Sequence, residues 1–113
     1  MLQSLIWRVT PKFGARKAAL RGVAGFSGSG SVHLKADGRG GETIFVSVVG
    51  AAGRSARVFG DGVAIADVPL RNGRGHARVR TPTARLSRAP DAAIEIKQNG
   101  DVILAGRLTS RRA

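Results

Sequence analysis

The sequence contains no cysteine, which excludes disulfide bonds and thiolate metal sites. It also lacks any run of 18 apolar residues, so no transmembrane helix is predicted. The first residues make a poor secretory signal, because Arg8 ends the short apolar core Leu5-Ile6-Trp7. Aromatic residues are few, with one Trp, four Phe and no Tyr, which leaves little material for a binding site built on stacked rings.

Acidic residues are scarce: seven Asp and Glu stand against nineteen Lys and Arg, for a net charge of +12. One explanation is codon usage rich in G and C, which favours Arg, Gly and Ala and also accounts for the 16 glycines. It does not account for the shortage of acids. The other explanation is an acidic partner, such as nucleic acid, an anionic membrane or an acidic protein surface.

The 113 residues correspond to one domain, and an apolar fraction of 42% argues against disorder. Residues 1–28 differ from the rest, because they contain no acid and carry a helical stripe that starts at Leu2. Pro11 interrupts this helix, with Thr10 placed to cap a second short one. We therefore predict a basic amphipathic arm whose contacts are made by Arg8, Lys12, Arg16, Lys17 and Arg21.

The predicted arm has three interpretations. It packs on its own domain, it anchors the chain to a partner or a membrane surface, or it is an organelle transit peptide. Residues 110–113 form a short basic tail after the main domain, which is predicted to span residues 29–109.

Alternating apolar residues and glycine-containing turns predict seven strands in this domain. Asp61-Gly62 and Asn99-Gly100 are hairpin signals, and Pro69 indicates a sheet edge. Glu42 to Val49 is apolar on both faces, which predicts a central strand buried on both sides. The seven strands are Ser31 to Ala36, Glu42 to Val49, Ser55 to Phe59, Val63 to Leu70, His76 to Thr81, Ala93 to Gln98 and Asp101 to Leu108.

Strands of this length and spacing favour an all-β fold, an antiparallel β-sandwich of immunoglobulin-like type. A small β-barrel is the alternative. No helix-length pattern follows residue 28, which argues against a parallel α/β sheet.

Two segments carry a resemblance: Val58 to Val68 followed by Gly75 to Arg80, and Ile94-Glu95-Ile96 leading through Asn99-Gly100 to Gly106. Together they resemble small bacterial β-sandwich proteins of immunoglobulin-like type, over about residues 29–108. The shared features are turn glycines and core positions. The resemblance therefore implies a fold and carries no activity, cofactor or catalytic residue.

Catalytic patterns are absent from the sequence. No serine lies in a Gly-x-Ser-x-Gly elbow, and no Gly-Lys pair forms a phosphate loop. The two histidines, His33 and His76, fall on the polar faces of predicted strands, where solvent exposure is the ordinary outcome. Nothing has metal-ligand spacing. The sequence thus predicts a protein that is not an enzyme and holds no metal or cofactor; an enzyme or small-molecule binder using either histidine is the weakest alternative.

Basic side chains offer the sharpest functional hypothesis. Residues 76, 78 and 80 share one face of a predicted strand, and other arginines lie in nearby turns, so a phosphate-binding surface is predicted. Because Phe45 and Phe59 sit among core-like residues, binding is expected to be electrostatic and poorly sequence-specific. The predicted polyanion-binding residues are Arg71, Arg74, His76, Arg78, Arg80, Arg39 and Arg54.

The leading hypothesis is a non-enzymatic module that binds nucleic acid or another acidic macromolecule in the cytoplasm. The second is a structural subunit of a phage or envelope-associated assembly, whose arm orders on a protein partner or another copy of the chain. Envelope-associated and organellar locations both stay open at this point.

Overall fold

The computed structural model of the chain describes residues 15–36, 40–81, 86 and 91–109. These residues form eight β-strands joined into a closed barrel. In chain order the strands are β1 Ala15–Gly22, β2 Ser29–Ala36, β3 Glu42–Val49, β4 Ser55–Gly60, β5 Val63–Arg71, β6 Arg74–Thr81, β7 Ala93–Gln98 and β8 Asp101–Arg107.

The order of strands around the barrel is β1-β2-β3-β6-β5-β4-β7-β8, and β8 pairs back onto β1. Every neighbouring pair is antiparallel. Two connections between non-adjacent strands make this order: the chain crosses from β3 to β4, and later from β6 to β7. The all-β prediction is confirmed and the barrel alternative fits, whereas the sandwich is wrong because both outer edges of the sheet meet at β1 and β8.

Strand β1 is the element that the sequence pattern did not reveal. The segment assigned to the arm is a strand from Ala15 to Gly22 and pairs with β2 over seven residues. Its inward residues are Arg16, Ala18 and Leu20, whereas Lys17 and Arg21 are exposed. The arm prediction is therefore wrong for this segment; its first fourteen residues and the predicted tail lie outside the described part of the chain.

Two-residue turns form three of the hairpins, and two of these turns, Asp61-Gly62 and Asn99-Gly100, confirm the hairpin signals in the sequence. Asn99 and Gly100 have φ of 52° and 83°, and Asp61-Gly62 and Asn72-Gly73 also have positive φ at both residues. Positive φ at both central residues defines the type I′ turn, whose twist matches that of the flanking strands. These turns join β4 to β5, β5 to β6 and β7 to β8.

The hydrophobic core inside the barrel is entirely aliphatic in the described residues. Alternation along each strand points Ala, Val, Ile and Leu side chains inward, as period 2 requires. Strand β3 shows this clearly: Ile44, Val46 and Val48 are buried, whereas Phe45 and Val49 are 40% and 47% exposed. The prediction that this strand is buried on both sides is therefore wrong, because its outer face meets solvent rather than a second layer.

Strand β5 is only partly paired with β6. The pairing involves Leu70 and Arg71 alone, next to Pro69, which has no amide hydrogen to donate. Upstream of this point the two strands diverge, and the buried side chain of Leu86 reaches the opening. A cleft of about 200 Å³ remains there, lined by Glu42, Ile44, Val63, Ala64, Ile65, Thr81 and Leu86.

Candidate functional site

Cross-strand register places the outward side chains of β1, β2, β3 and β6 in rows. One row runs Lys17, His33, Phe45, Arg78 across the four strands, and each residue is directly opposite the next. All four side chains are exposed. Facing residues in adjacent strands lie about 5 Å apart, so this row covers roughly 15 Å of continuous surface.

The neighbouring rows add further basic side chains. Lys35 and Arg80 are both opposite Thr43, one on each adjoining strand, and His76 is opposite Ser47 on the other side of Phe45. Arg21 and Arg74 lie at the two ends of the row that crosses β3 at Val49, four residues along the strand from Phe45. We call this surface the basic face; it comprises Lys17, Arg21, His33, Lys35, Phe45, Arg74, His76, Arg78 and Arg80.

The basic face carries no acidic residue. Within its four strands Glu42 is the single acid, and that side chain is 2% exposed and points into the barrel. The basic face exposes six Lys and Arg side chains. Elsewhere among the described residues, five Lys and Arg and five Asp and Glu side chains reach solvent, so their charges sum to zero. The six are Lys17, Arg21, Lys35, Arg74, Arg78 and Arg80; the neutral set is Arg54, Arg57, Arg71, Lys97 and Arg107 with Asp61, Asp67, Asp91, Glu95 and Asp101.

Phe45 sits in the middle of the basic face. The guanidinium carbon of Arg78 lies 6.0 Å from the centre of its ring, at the outer limit of a cation–π contact. The prediction that this ring belongs to the core is wrong. Thr43 and Ser47 lie two residues before and after Phe45 and therefore point to the same side of β3. Because both are polar, they are the feature of the sequence that would have predicted an outward Phe45.

The predicted binding residues divide among three places. His76, Arg78 and Arg80 point outward from β6, as predicted. Arg74, which was predicted to lie in the preceding turn, is the first residue of the strand and is also exposed, and Arg71 is exposed directly opposite it. Arg54 lies on the other half of the barrel, in a groove along β4 and β7. Arg39 lies outside the described residues.

The residues predicted to make arm contacts lie in different places in the structure. Lys17 and Arg21 join the basic face, which brings them beside residues that are far away in sequence. Arg16 is 8% exposed and points inward, where its Nη1 donates a hydrogen bond to the carbonyl oxygen of Leu86 at 3.1 Å. Arg16 therefore contacts its own domain, which was one of the three interpretations of the arm, and it points inward because it alternates with Lys17 along a strand. Arg8 and Lys12 lie outside the described residues.

The groove on the opposite half has a volume of about 610 Å³ and runs along β4 and β7 and the adjoining turns. In it Arg57 donates a hydrogen bond to Asp67 at 2.7 Å, and both side chains are largely exposed. The hydrogen bond to Asp67 raises the pKa of Arg57, and the same bond lowers the pKa of Asp67. Lys97 lies 4.6 Å from the centre of the Phe59 ring. The groove therefore places an acid of the protein beside its cations, whereas no Asp or Glu lies among the residues of the basic face.

His33 and His76 lie on the strands that flank β3, one row apart, and both are exposed. In the described ranges no group of three or more His, Asp or Glu side chains is placed to hold a metal ion. The same ranges contain no helix of the length and apolarity needed to cross a membrane.

No protein-family model matches the chain, and no curated protein is significantly similar to it. The chemistry of its own residues is therefore the guide to its function.

Proposed function

We propose that this barrel is a non-enzymatic binding module whose basic face docks on the phosphate backbone of a nucleic acid. The observation that supports this most strongly is the uneven distribution of charge. Six exposed cations and no exposed acid lie on four adjacent strands, while the other described residues are neutral as a set. Codon usage rich in G and C would raise the number of arginines along the whole chain, but it would give no reason for the exposed acids of the described residues to avoid these four strands.

The spacing of the cations suits a chain of phosphates. Alternate residues of a strand are about 6.5–7 Å apart, so Arg74, His76, Arg78 and Arg80 form a regular ladder along β6. Arginine can donate two parallel hydrogen bonds to a phosphate, which makes it well adapted to this role. A ladder of this kind contacts backbone rather than base edges, so we expect weak dependence on nucleotide sequence.

The test compares two triple variants that remove the same total charge. Lys17→Gln, Lys35→Gln and Arg74→Gln change the basic face, whereas Arg54→Gln, Arg57→Gln and Lys97→Gln change the groove. Affinity for fluorescein-labelled oligo(dT) is measured by anisotropy at about 50 to 200 mM salt. We expect the first triple to bind more weakly and to lower the salt slope by about 2, since each phosphate neutralised on a single strand contributes roughly 0.7 to that slope.

Three outcomes would overturn the proposal. Equal weakening by both triples would mean that only overall charge matters. Affinity that does not change with salt would exclude docking on phosphates. Tighter binding of phosphatidylserine vesicles than of the oligonucleotide, abolished in the same basic-face triple, would assign the surface to a membrane instead.

A further inference from the structure

From the position of Phe45 we infer that the basic face binds single-stranded nucleic acid and stacks one unpaired base on this ring. The inference rests on the proposed function, because the surrounding cations must first hold the backbone. Stacking on the ring would select single-stranded over double-stranded nucleic acid, a choice that the cations alone do not make.

Phe45 differs from the other described aromatic residues in its position rather than in its exposure. Phe26, 45% exposed, lies in the connection between β1 and β2, and Phe59 lies in the groove, whereas Phe45 lies within the basic face. The barrel interior is filled by Ala, Val, Ile and Leu, and none of the described aromatic residues is buried. Phe45 is 40% exposed, and its neighbours along the strand, Ile44 and Val46, point to the other side and are buried. Single exposed apolar side chains are common on protein surfaces, so what distinguishes Phe45 is that basic side chains lie beside it on both neighbouring strands.

The neighbours of the ring match what a stacked nucleotide needs. His33 lies directly opposite on β2 and Arg78 directly opposite on β6, each about 5 Å away across the sheet. Lys17 follows one strand beyond His33. A base lying on the ring therefore has basic side chains on both sides for the phosphates that precede and follow it, while Thr43 and Ser47 supply short polar side chains along the strand.

The position of the ring favours a single strand over a duplex. In a duplex the faces of the bases are covered by the adjacent base pairs, so a ring on the surface of a sheet has nothing to stack on. An unpaired base presents a free π-face, and stacking of this kind tolerates any base. A duplex would contact the same cations through its phosphates and leave Phe45 unused.

The experiment uses the full chain with two substitutions at Phe45 and one matched control. Phe45→Leu removes the ring and keeps an apolar side chain, and Phe45→Trp enlarges the ring. The control is Phe59→Leu, because Phe59 also contacts a cation, Lys97, but lies in the groove on the other half. Probes are labelled oligo(dT), oligo(U) and a DNA duplex of equal length.

We expect Phe45→Leu to weaken binding of both single strands by about five- to hundred-fold, the range typical of removing a stacking ring. The salt slope and the affinity for duplex should not change, because the charge is unaltered. Phe45→Trp should restore single-strand affinity, and in a Trp7→Phe background its fluorescence should be quenched by oligo(dT). Phe59→Leu should bind like the unmodified protein.

The inference and the proposed function fail in different ways. If Phe45→Leu binds single strands as well as the unmodified protein, while the basic-face triple still weakens binding, base stacking is excluded and phosphate docking stands. If Phe45→Leu weakens duplex and single strands equally, the ring contributes to the shape of the surface and the inference is overturned. If neither Phe45→Leu nor the basic-face triple affects binding, both fail.

Discussion

The carboxylate of Glu42 accepts a hydrogen bond from the main-chain amide of Leu86 at 3.3 Å, across 44 positions of sequence. Arg16 donates to the carbonyl oxygen of the same residue from β1. Two ionisable side chains thus hold one residue of the β6–β7 connection against the end of the barrel, where β5 and β6 diverge. Among the described residues, Glu42 and Arg16 are the charged side chains that are buried, so the one acid on strands β1, β2, β3 and β6 points into the barrel and not toward the basic face.

Removing the Glu42 carboxylate should destabilise the fold. Glu42→Ala leaves the buried amide of Leu86 without this acceptor, and we expect a decrease of about 1–3 kcal/mol in the free energy of unfolding measured by urea denaturation. Glu42→Gln keeps an acceptor oxygen and should be destabilised less. Asp101→Ala, at an exposed strand end, is the control and should change stability by no more than about 0.5 kcal/mol. Equal stability of Glu42→Ala and the unmodified protein would disprove the role of this hydrogen bond.

Closure of the barrel depends on glycine at the seam between β1 and β8. A Cβ atom at Gly106 would clash with the carbonyl oxygen of Ala19 and lie 2.9 Å from a methyl group of Leu20. We therefore expect Gly106→Ala to cost about 1–3 kcal/mol of unfolding free energy, because β8 must move away from β1. The control is Ala19→Ser, on the exposed outer face of the neighbouring strand β1, which should change stability by no more than about 0.5 kcal/mol. A Gly106→Ala variant that unfolds at the same urea concentration would show that the seam tolerates a side chain.

The exposed pair Arg57–Asp67 should make a small, pH-dependent contribution to stability. Its hydrogen bond lowers the pKa of Asp67 below the ordinary value of 3.8, so the stabilisation is present above that value and disappears as pH falls through the folded-state pKa. Asp67→Asn should consequently be slightly less stable than the unmodified protein near neutral pH, with the difference vanishing in strong acid. Thermal unfolding across pH measures this.

A double-mutant cycle provides the control for the ion pair. Arg57→Gln should reproduce the effect of Asp67→Asn, and the double variant should be destabilised no more than either single variant. Additive destabilisation would mean that the two side chains act independently, in spite of the 2.7 Å separation.

Local sequence was sufficient for seven of the eight strands. Alternation along residues 76–81 and the paired turn residues at 61–62 and 99–100 specify strand and turn by short-range sterics, and the structure confirms them. Strand β1 was missed because its Ala, Arg and Leu residues are compatible with a helix as well as a strand. The segment forms a strand and not a helix because it pairs with β2, whose edge would otherwise have unpaired backbone groups.

The sequence predicted the positive charge of the candidate site, but only some of the residues that form it. The ladder on β6 follows from period 2 alone. The convergence of Lys17, His33 and Phe45 with Arg78 does not, because it depends on the registers of three separate strand pairs. The inward direction of Arg16 was missed for the same reason as β1: side-chain direction cannot be assigned before the element is known.

The sequence by itself determined an all-β chain with an excess of cations, since residue alternation, turn glycines and composition are local properties. The tertiary structure alone decided that the sheet closes into a barrel rather than splitting into two layers, and that the cations and one aromatic ring share a face. Both outcomes come from hydrogen bonding between strands that are distant in sequence, β1 with β8 and β3 with β6, and the energy of such pairing depends on the whole sheet rather than on any one segment.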